Sequence, residues 1–416
     1  MLSGFCTAVH AAGDCSRSLA RTIIVASKRR IALFPFAARA ILAVLLGLSW
    51  QYGYWGPILS LVLIPLVVMG KNRRDRYGVA LAYYLAGSHG LILGSASFFG
   101  PGHVPMGVAL WFASSALLAA GWAFADRPWR VIAVLVVDAL PPLGLFDWLS
   151  PLAGAGVLFP GMGVYGVALL LVVWGLWSVP RWGKWIAVGS LAVALVANVI
   201  VFYTPFPTIP SGWVGLQTHT GELVTPLQGV ESAMHAGQMA LAHPKAAVVV
   251  FPETIVGHWL PGTQAALFNE YQQRQNKAQI WLIGAVAYGK THRWDSVVEY
   301  APGLGHADVR QHGHIVSRTA FPVPVSMWAP WAKDRYGATW YEPVQKIGGM
   351  RVFTSIFYDQ LLSWVWLEAV WQRPDIIIAT SNVWWAAKTD IPAIEDENTA
   401  AWARLMWAGV VMARNG

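Results

Sequence analysis

Long apolar segments separated by short basic loops fill the first half of the chain. Segments at 33–50, 54–70, 77–97, 105–125, 131–147, 160–179 and 185–203 each approach the roughly 20 apolar residues that cross a bilayer. Only 12% of the chain is charged and the mean hydropathy is +0.47, whereas soluble domains carry about 25% charge. The pattern predicts a transmembrane domain of about seven helices at 31–203, behind a basic extension at 1–30.

The distribution of lysine and arginine predicts an orientation for these helices. Loops at 28–30, 71–76, 126–130 and 181–184 carry the basic residues, and the alternate loops at 51–54, 100–104 and 148–156 carry none. Because basic loops stay in the cytoplasm, we expect a multi-pass bacterial inner-membrane protein with a cytoplasmic amino terminus and a periplasmic carboxyl-terminal domain. The basic residues of these loops then account for much of the net charge of +8. The bilayer is an expected partner and nucleic acid is not.

The second half of the chain has the composition and the alternating strand and helix patterns of a globular α/β domain. A proline-rich linker at 204–212 precedes it, and the domain itself is predicted at 213–416. Strands are predicted at 213–217, 246–251, 279–287, 296–300, 310–317, 352–356 and 375–380, and helices at 229–242, 263–276 and 360–371. This alternation favours an α/β sandwich.

Two motifs stand at predicted strand ends, where α/β folds collect ligands and catalytic groups. V-V-F-P-E-T at 249–254 delivers Glu253 behind an apolar strand, which is how a general base is presented. V-F-T-S-I-F-Y-D at 352–359 is a strand followed by the turn Phe357-Tyr358-Asp359 and a helix. The turn therefore marks a second candidate position in the same site.

Together these motifs resemble the nitrilase (carbon–nitrogen hydrolase) superfamily. There the turn usually reads I-C-Y-E and its cysteine is the nucleophile, while F-P-E supplies the catalytic glutamate; W-L-I-G-A at 281–285 is similar to that fold's third core strand. The resemblance implies an αββα sandwich with Glu253 as the general base. Phe357 occupies the cysteine slot and Asp359 the glutamate slot.

The lysine that the superfamily uses is also missing. Its slot falls on Thr319, beside Arg318, and no lysine lies between Lys290 and Lys333. Arginine stays protonated and is a poor proton shuttle. We therefore expect a catalytically silent domain that acts by binding. The further candidates for its pocket are Ser355, Tyr358, Asp359, Asn382, Trp384 and Trp385.

A closer resemblance is to the TraB family of conjugal transfer proteins. It rests on G-V-L-F-P-G (156–161), S-G-W-V-G (211–215), P-V-P-V-S-M-W-A-P-W (322–331), Y-D-Q-L-L-S-W (358–364), S-N-V-W-W-A-A-K-T-D-I (381–391) and A-W-A-R-L (401–405). Apolipoprotein N-acyltransferase is similar more distantly, but its chain usually returns to the membrane, for which 405–412 is too short. The resemblance implies a role in plasmid transfer, with a small acyl or peptide-like ligand or a cell-envelope partner.

Two other functions remain open at this point. One is an active hydrolase or N-acyltransferase on C–N bonds, which would use Glu253 with an unconventional nucleophile such as Ser355 or Tyr358. The other is a transporter, which rests on the polar residues His89 and Asp138 inside apolar segments. A transport role predicts that these two side chains face each other.

No cofactor or metal is predicted. Cys6 and Cys15 lack the spacing of a zinc site or a disulfide framework. G-A-V-A-Y-G-K-T at 284–291 matches a phosphate-binding loop, but a strand rather than a helix is predicted after it. The H-G-H at 312–314 has no third ligand at a suitable spacing.

Overall fold

A computed structural model describes residues 35–53, 55–176, 183–221, 225–273, 279–289, 292–301, 313–320 and 336–416. The basic extension with Cys6 and Cys15, the residue His312 and the segment at 322–331 lie outside the described residues.

In its described residues the first half of the chain consists of helices and the loops that join them, without strands. Its helices are α1 (Phe36–Leu48), α2 (Gly56–Ser60), α3 (Leu63–Val68), α4 (Arg73–Gly87), α5 (Gly90–Phe99), α6 (Val104–Trp122), α7 (Pro128–Ala139), α8 (Gly154–Leu158), α9 (Val164–Leu176) and α10 (Gly183–Tyr203). The Asn72 side chain accepts a hydrogen bond from the Asp75 amide and caps α4. Each predicted apolar segment therefore contains at least one helix.

Most of the helices are shorter than the predicted spans. Among the described residues one helix is long and apolar enough to cross a bilayer. It is α6 together with the 3₁₀ turn directly before it, Pro101–Trp122. The pair α4 and α5 would form a second if it is one span, although it bends by 45° at the break. The segment predicted at 54–70 is likewise divided, into α2 and α3. Helix length and composition thus do not establish a seven-span domain.

Two five-stranded sheets form the second half. The strands are β1 (Trp213–Gly215), β2 (Gln217–Thr218), β3 (Val248–Val250), β4 (Ile280–Tyr288), β5 (Arg293–Tyr300), β6 (His314–Arg318), β7 (Gln345–Ile347), β8 (Met350–Ile356), β9 (Ile376–Asn382) and β10 (Gly409–Asn415). The first sheet has the order β1-β3-β4-β5-β6, and the second has the order β2-β10-β9-β8-β7. The strand predicted at 213–217 is therefore two strands, one in each sheet.

Helices cover the outer face of each sheet, and apolar side chains fill the space between the sheets. The helices of this half that fall in the described ranges are α11 (Pro226–Leu241), α12 (Pro261–Gln272), α13 (Ser363–Gln372) and α14 (Ile391–Met406). Side chains of α11 and α12 share a core with β3 and β4, and those of α13 and α14 share one with β8 and β9. Val250, Ile356 and Ile378 belong to the core between the sheets. The αββα sandwich implied by the resemblance is confirmed.

Helix α14 joins the sandwich to the helical half. A Cβ at Gly156 of α8 would lie 1.8 Å from the Ala401 carbonyl oxygen, so only glycine permits this approach. The Gly56 amide donates to Glu397 Oε2 at 2.8 Å, and the Arg404 guanidinium donates to Asn198 Oδ1 at 2.8 Å. The two halves therefore share one continuous apolar core.

Candidate functional site

The turn after β8 keeps a strained backbone although it holds no nucleophile. A 3₁₀ helix, Phe357–Leu361, begins directly where the strand ends. Phe357 has a φ of +36°, which is unfavourable for any residue with a Cβ. Its ring is buried and meets the Trp385 ring edge-on at 5.7 Å. The turn thus presents an aromatic ring where the superfamily presents a thiol.

Glu253 lies at the edge where β3, β8 and β9 end, and it reaches across to the second sheet. The Asn382 amide donates to Glu253 Oε2 at 2.7 Å, and Asn382 Nδ2 donates to Thr254 Oγ1 at 2.9 Å. Thr380 Oγ1 donates to the Phe251 carbonyl at 3.1 Å. The structure therefore brings together Glu253 and Asn382, which the sequence proposed separately.

A second carboxyl group, that of Asp295 on β5, lies against Glu253. Both side chains are buried and they are hydrogen-bonded to each other. Burial, together with the neighbouring charge of Asp295, raises the pKa of Glu253 well above its ordinary value, while burial raises the pKa of Asp295 to about 6. Burial of the two carboxyl groups therefore favours a proton held between them. Sequence reasoning missed Asp295, although an aspartate just before an apolar strand segment was the available signal.

The residues in the lysine and glutamate slots have structural contacts. Asp359 Oδ2 accepts the Ala320 amide at 2.7 Å, which ties the turn to the residue after Thr319. Thr319 is buried, and its Oγ1 makes no hydrogen bond within the described part of the chain. The Arg318 guanidinium carbon lies 5.3 Å from the centre of the Trp294 ring. Neither residue supplies the amine of a nitrilase site.

The proposed replacement nucleophiles are poorly placed for chemistry. Ser355 is fully buried inside β8. Tyr358 donates its hydroxyl to the Leu145 carbonyl at 2.7 Å and accepts from Trp148 Nε1 at 3.0 Å. Burial also raises the pKa of Tyr358. Its phenol is thus a bridge to the helical half.

Trp384 and Trp385 also face the helical half. The Phe98 ring of α5 stacks on Trp384 at 6.3 Å and meets Trp385 edge-on at 5.8 Å. The candidate residues therefore divide into two groups. Glu253 and Asn382 lie at the strand ends, whereas Phe357, Tyr358 and the two tryptophans line the junction with the helices.

The polar residues of the helical half do not form the predicted pair. His89 Nδ1 lies 3.5 Å from Asp390 Oδ2, at the break between α4 and α5. Asp138 is buried on α7 beside Gly121 and Trp122. His89 Nδ1 is also hydrogen-bonded to the Ala86 carbonyl oxygen at 2.8 Å, so His89 contacts both the end of α4 and the sandwich.

The glycine-rich motif at 284–291 contributes to packing at the strand ends. Gly284 lies under the chain at Pro252 and Glu253, since a Cβ there would be 2.0 Å from the Pro252 carbonyl oxygen. Strand β5 follows the motif, so no helix is available to bind phosphate. Among the described residues, no three histidine, cysteine or acidic side chains are grouped to hold a metal.

Comparison with known proteins assigns the chain to a family. It is 30% identical to the conjugal transfer protein TraB of Agrobacterium fabrum, over 98% of this chain and 97% of that one. It is also 30% identical to a probable conjugal transfer protein TraB of Sinorhizobium fredii, over 83% of this chain and 89% of that one. The chain belongs to the TraB family of conjugal transfer proteins.

Two further comparisons concern family profiles and solved structures. No protein-family profile matches this TraB-family chain. Among solved structures, a carbon–nitrogen hydrolase from Helicobacter pylori is similar, with 14% identity and a TM-score of 0.34 over 49% of this chain and 73% of that one.

Proposed function

We propose that this TraB-family protein resides in the bacterial inner membrane and supports plasmid conjugal transfer by binding, without nitrilase-type catalysis. Its helices span the membrane, and its sandwich lies in the periplasm. The observation that carries the proposal is Phe357, whose buried ring packs on Trp385 at the position of the nucleophile. A phenyl ring has no lone pair to attack a carbonyl. What it offers is apolar surface to a ligand or a partner at the cell envelope.

The surface of the helical half supports the membrane location. Most of the exposed large apolar side chains in the described ranges belong to α1–α10. On α10, Leu191, Leu195 and Phe202 are 66%, 66% and 82% exposed. Exposed apolar patches of this extent are rare on soluble monomers. Adjacent helices can also share the thickness of a bilayer where single helices are short, provided that broken backbone is covered by protein.

A second candidate function, hydrolysis or N-acyl transfer, is favoured by one observation. Glu253 retains the position of the general base, beside a second buried carboxyl group on Asp295. Such pairs occur at catalytic sites because perturbed pKa values suit proton transfer. The chemistry would still need a nucleophile outside Phe357, Ser355 and Tyr358. No comparable observation favours transport, since His89 contacts Asp390.

Conjugation frequency decides between binding and catalysis. A strain lacking the gene is complemented with wild type, Glu253→Gln or Glu231→Gln, the last being an exposed carboxylate on α11 that serves as the control. Glutamine keeps an oxygen that can accept the Asn382 amide but cannot act as a base. The binding function predicts that all three restore transfer within about threefold, which is less than 1 kcal/mol. Lost transfer with Glu253→Gln protein present at wild-type level in the membrane would favour catalysis.

A further inference from the structure

An apolar cavity lies where the sandwich meets the helical half. The space between its walls is about 850 Å³ when the open mouth is included. Leu91, Phe98 and Leu110 line it from the helices, and Phe357, Trp385 and Ile394 line it from the sandwich. Glu253 is not among the lining residues. The cavity is therefore distinct from the carboxyl pair.

The walls offer almost nothing to a polar ligand. Ser88 Oγ donates to the Tyr84 carbonyl at 2.6 Å, and the Tyr358 hydroxyl donates to the Leu145 carbonyl. Asp390, the charged residue of the lining, lies beside His89. A peptide in this cavity would leave its N–H and C=O groups without partners, which is unfavourable. A hydrocarbon chain has no polar groups to leave without partners, and it makes dispersion contacts with the apolar walls.

The exposed side chain among the lining residues is Phe98 of α5, and α5 and α6 carry further exposed apolar side chains. Phe98 lines the cavity and is 38% exposed, while Leu93 and Val108, on the neighbouring surface of α5 and α6, are 57% and 41% exposed. With this face against lipid, a hydrocarbon chain could enter sideways without crossing water.

We propose that the cavity holds one acyl chain of a bilayer lipid, with the Phe357 ring as part of its wall. This inference rests on the proposed membrane location. It also gives the replacement of the nucleophile a physical consequence. The turn that attacks a carbonyl in an active relative would here contact a chain that it cannot cleave.

Photo-crosslinking of the full-length protein tests the proposal. Purified protein is placed in nanodiscs of phosphatidylcholine that contains a small fraction with a diazirine in one acyl chain, and labelled peptides are mapped after illumination. We expect label on the peptides that contain Phe98 and Trp385. Leu110→Trp and Ile394→Trp fill the cavity from opposite walls, and each should reduce this label about tenfold, corresponding to about 1.4 kcal/mol.

The matched control is Leu191→Trp, which places the same side chain on the exposed face of α10. It should leave cavity label unchanged, and label on α10 serves as the internal reference in every sample. Cavity label that survives both filling substitutions, or that is absent from wild type while α10 is labelled, would overturn the inference. Failure of the protein to co-float with membranes would instead overturn the membrane location itself.

Discussion

Two features of Phe357 reduce the stability of the fold, and they set it apart from the residues of β8 before it. Its backbone is in the left-handed region, at a φ of +36°, and its ring borders a cavity. A strained residue persists only where its surroundings hold it, and here the Trp385 ring does so on one side. In an active enzyme a strained turn of this kind would expose a nucleophile. Here the strained backbone carries the apolar side chain of Phe357 instead.

We predict an inverted order of stabilities for small substitutions at Phe357. Phe357→Ala removes buried ring contacts, at a cost of about 3 kcal/mol and toward the low end for phenylalanine because the cavity already borders the ring. Phe357→Gly loses the same contacts but relieves the positive φ, so it should be about 1 kcal/mol more stable than Phe357→Ala. Phe353, in the strand β8 that precedes the turn, is the control, because there glycine should be the worse substitute. Thermal unfolding in detergent measures all four variants.

The carboxyl pair makes stability depend on pH. Asp295 has a folded pKa of about 6 against an ordinary 3.8, and that of Glu253 is raised as well. A raised carboxyl pKa means that the fold binds more protons than the unfolded chain. The stabilisation is therefore complete below about pH 4; the part due to Asp295 is lost as the pH rises through about 6, and the part due to Glu253 is lost as the pH rises through its own raised pKa.

Glu253→Gln should flatten this dependence, since glutamine needs no proton. Relative to wild type, we expect the variant to gain on the order of 1–3 kcal/mol between pH 5 and pH 8, in proportion to the pKa shifts. Unfolding midpoints at the two pH values give the measurement. Glu231→Gln, on an exposed turn of α11, should show no such change. A Glu253→Gln curve parallel to wild type would show that the pair does not hold the proton.

Among the secondary-structure elements, helix α14 makes the main contacts between the two halves. It covers β8 and β9 on one side, and on the other it meets α8 closely enough that Gly156 has no room for a methyl group. The Trp148 carbonyl accepts Asn398 Nδ2 at 2.9 Å, and the Gly163 amide donates to the Leu405 carbonyl at 2.9 Å. Separating the halves would expose this face of α14.

A pair of glycine substitutions tests that contact. Gly156→Ala must push α8 away from α14, and we expect a loss of about 3 kcal/mol or more. Gly189→Ala on α10 meets nothing within 4 Å, so it should be neutral or stabilising by up to about 1 kcal/mol through helix propensity. Limited proteolysis between the halves, together with thermal unfolding, reports the difference. Equal behaviour of the two variants would contradict a tight α8–α14 contact.

At the scale of the whole molecule, the broken helix α4–α5 and the sandwich meet at one place. The break lies at His89, opposite Asp390, and the cavity lies beside it. Backbone freed at a break is tolerated in a membrane only where protein or water covers it. The sandwich provides that cover, so we infer that it sits against the bilayer surface.

The proposed topology predicts the behaviour of reporters on the intact chain. Alkaline phosphatase fused after Gly416 should be active, because it folds outside the cytoplasm, and a fluorescent protein at the same place should be dark. Fusions in the basic loop at 126–130 should show the reverse, since positive loops stay inside. A fluorescent carboxyl-terminal fusion would refute the periplasmic location.

Local sequence pattern was sufficient to predict the elements that form within one short segment. Apolar runs located the helices of the first half, and β-branched runs located β3, β4, β8 and β9 to within a few residues. The resemblance of its motifs to known families indicated the TraB family, and it proposed Glu253 and the substituted turn at Phe357 as site positions. These features survive because strand and helix periodicity and a strand-end position are properties of short segments.

The features that join distant segments became visible in the folded chain and could not be predicted from local pattern. Strand β10 reads in the sequence as a short apolar stretch and was not predicted as a strand. Its place between β2 and β9 depends on two parallel partners that are distant in the chain. The pairing of Glu253 with Asp295 and of His89 with Asp390, and the breaks that shorten the spans, have the same origin. Contacts between residues tens to hundreds of positions apart are set by packing of the whole chain, and no local pattern encodes them.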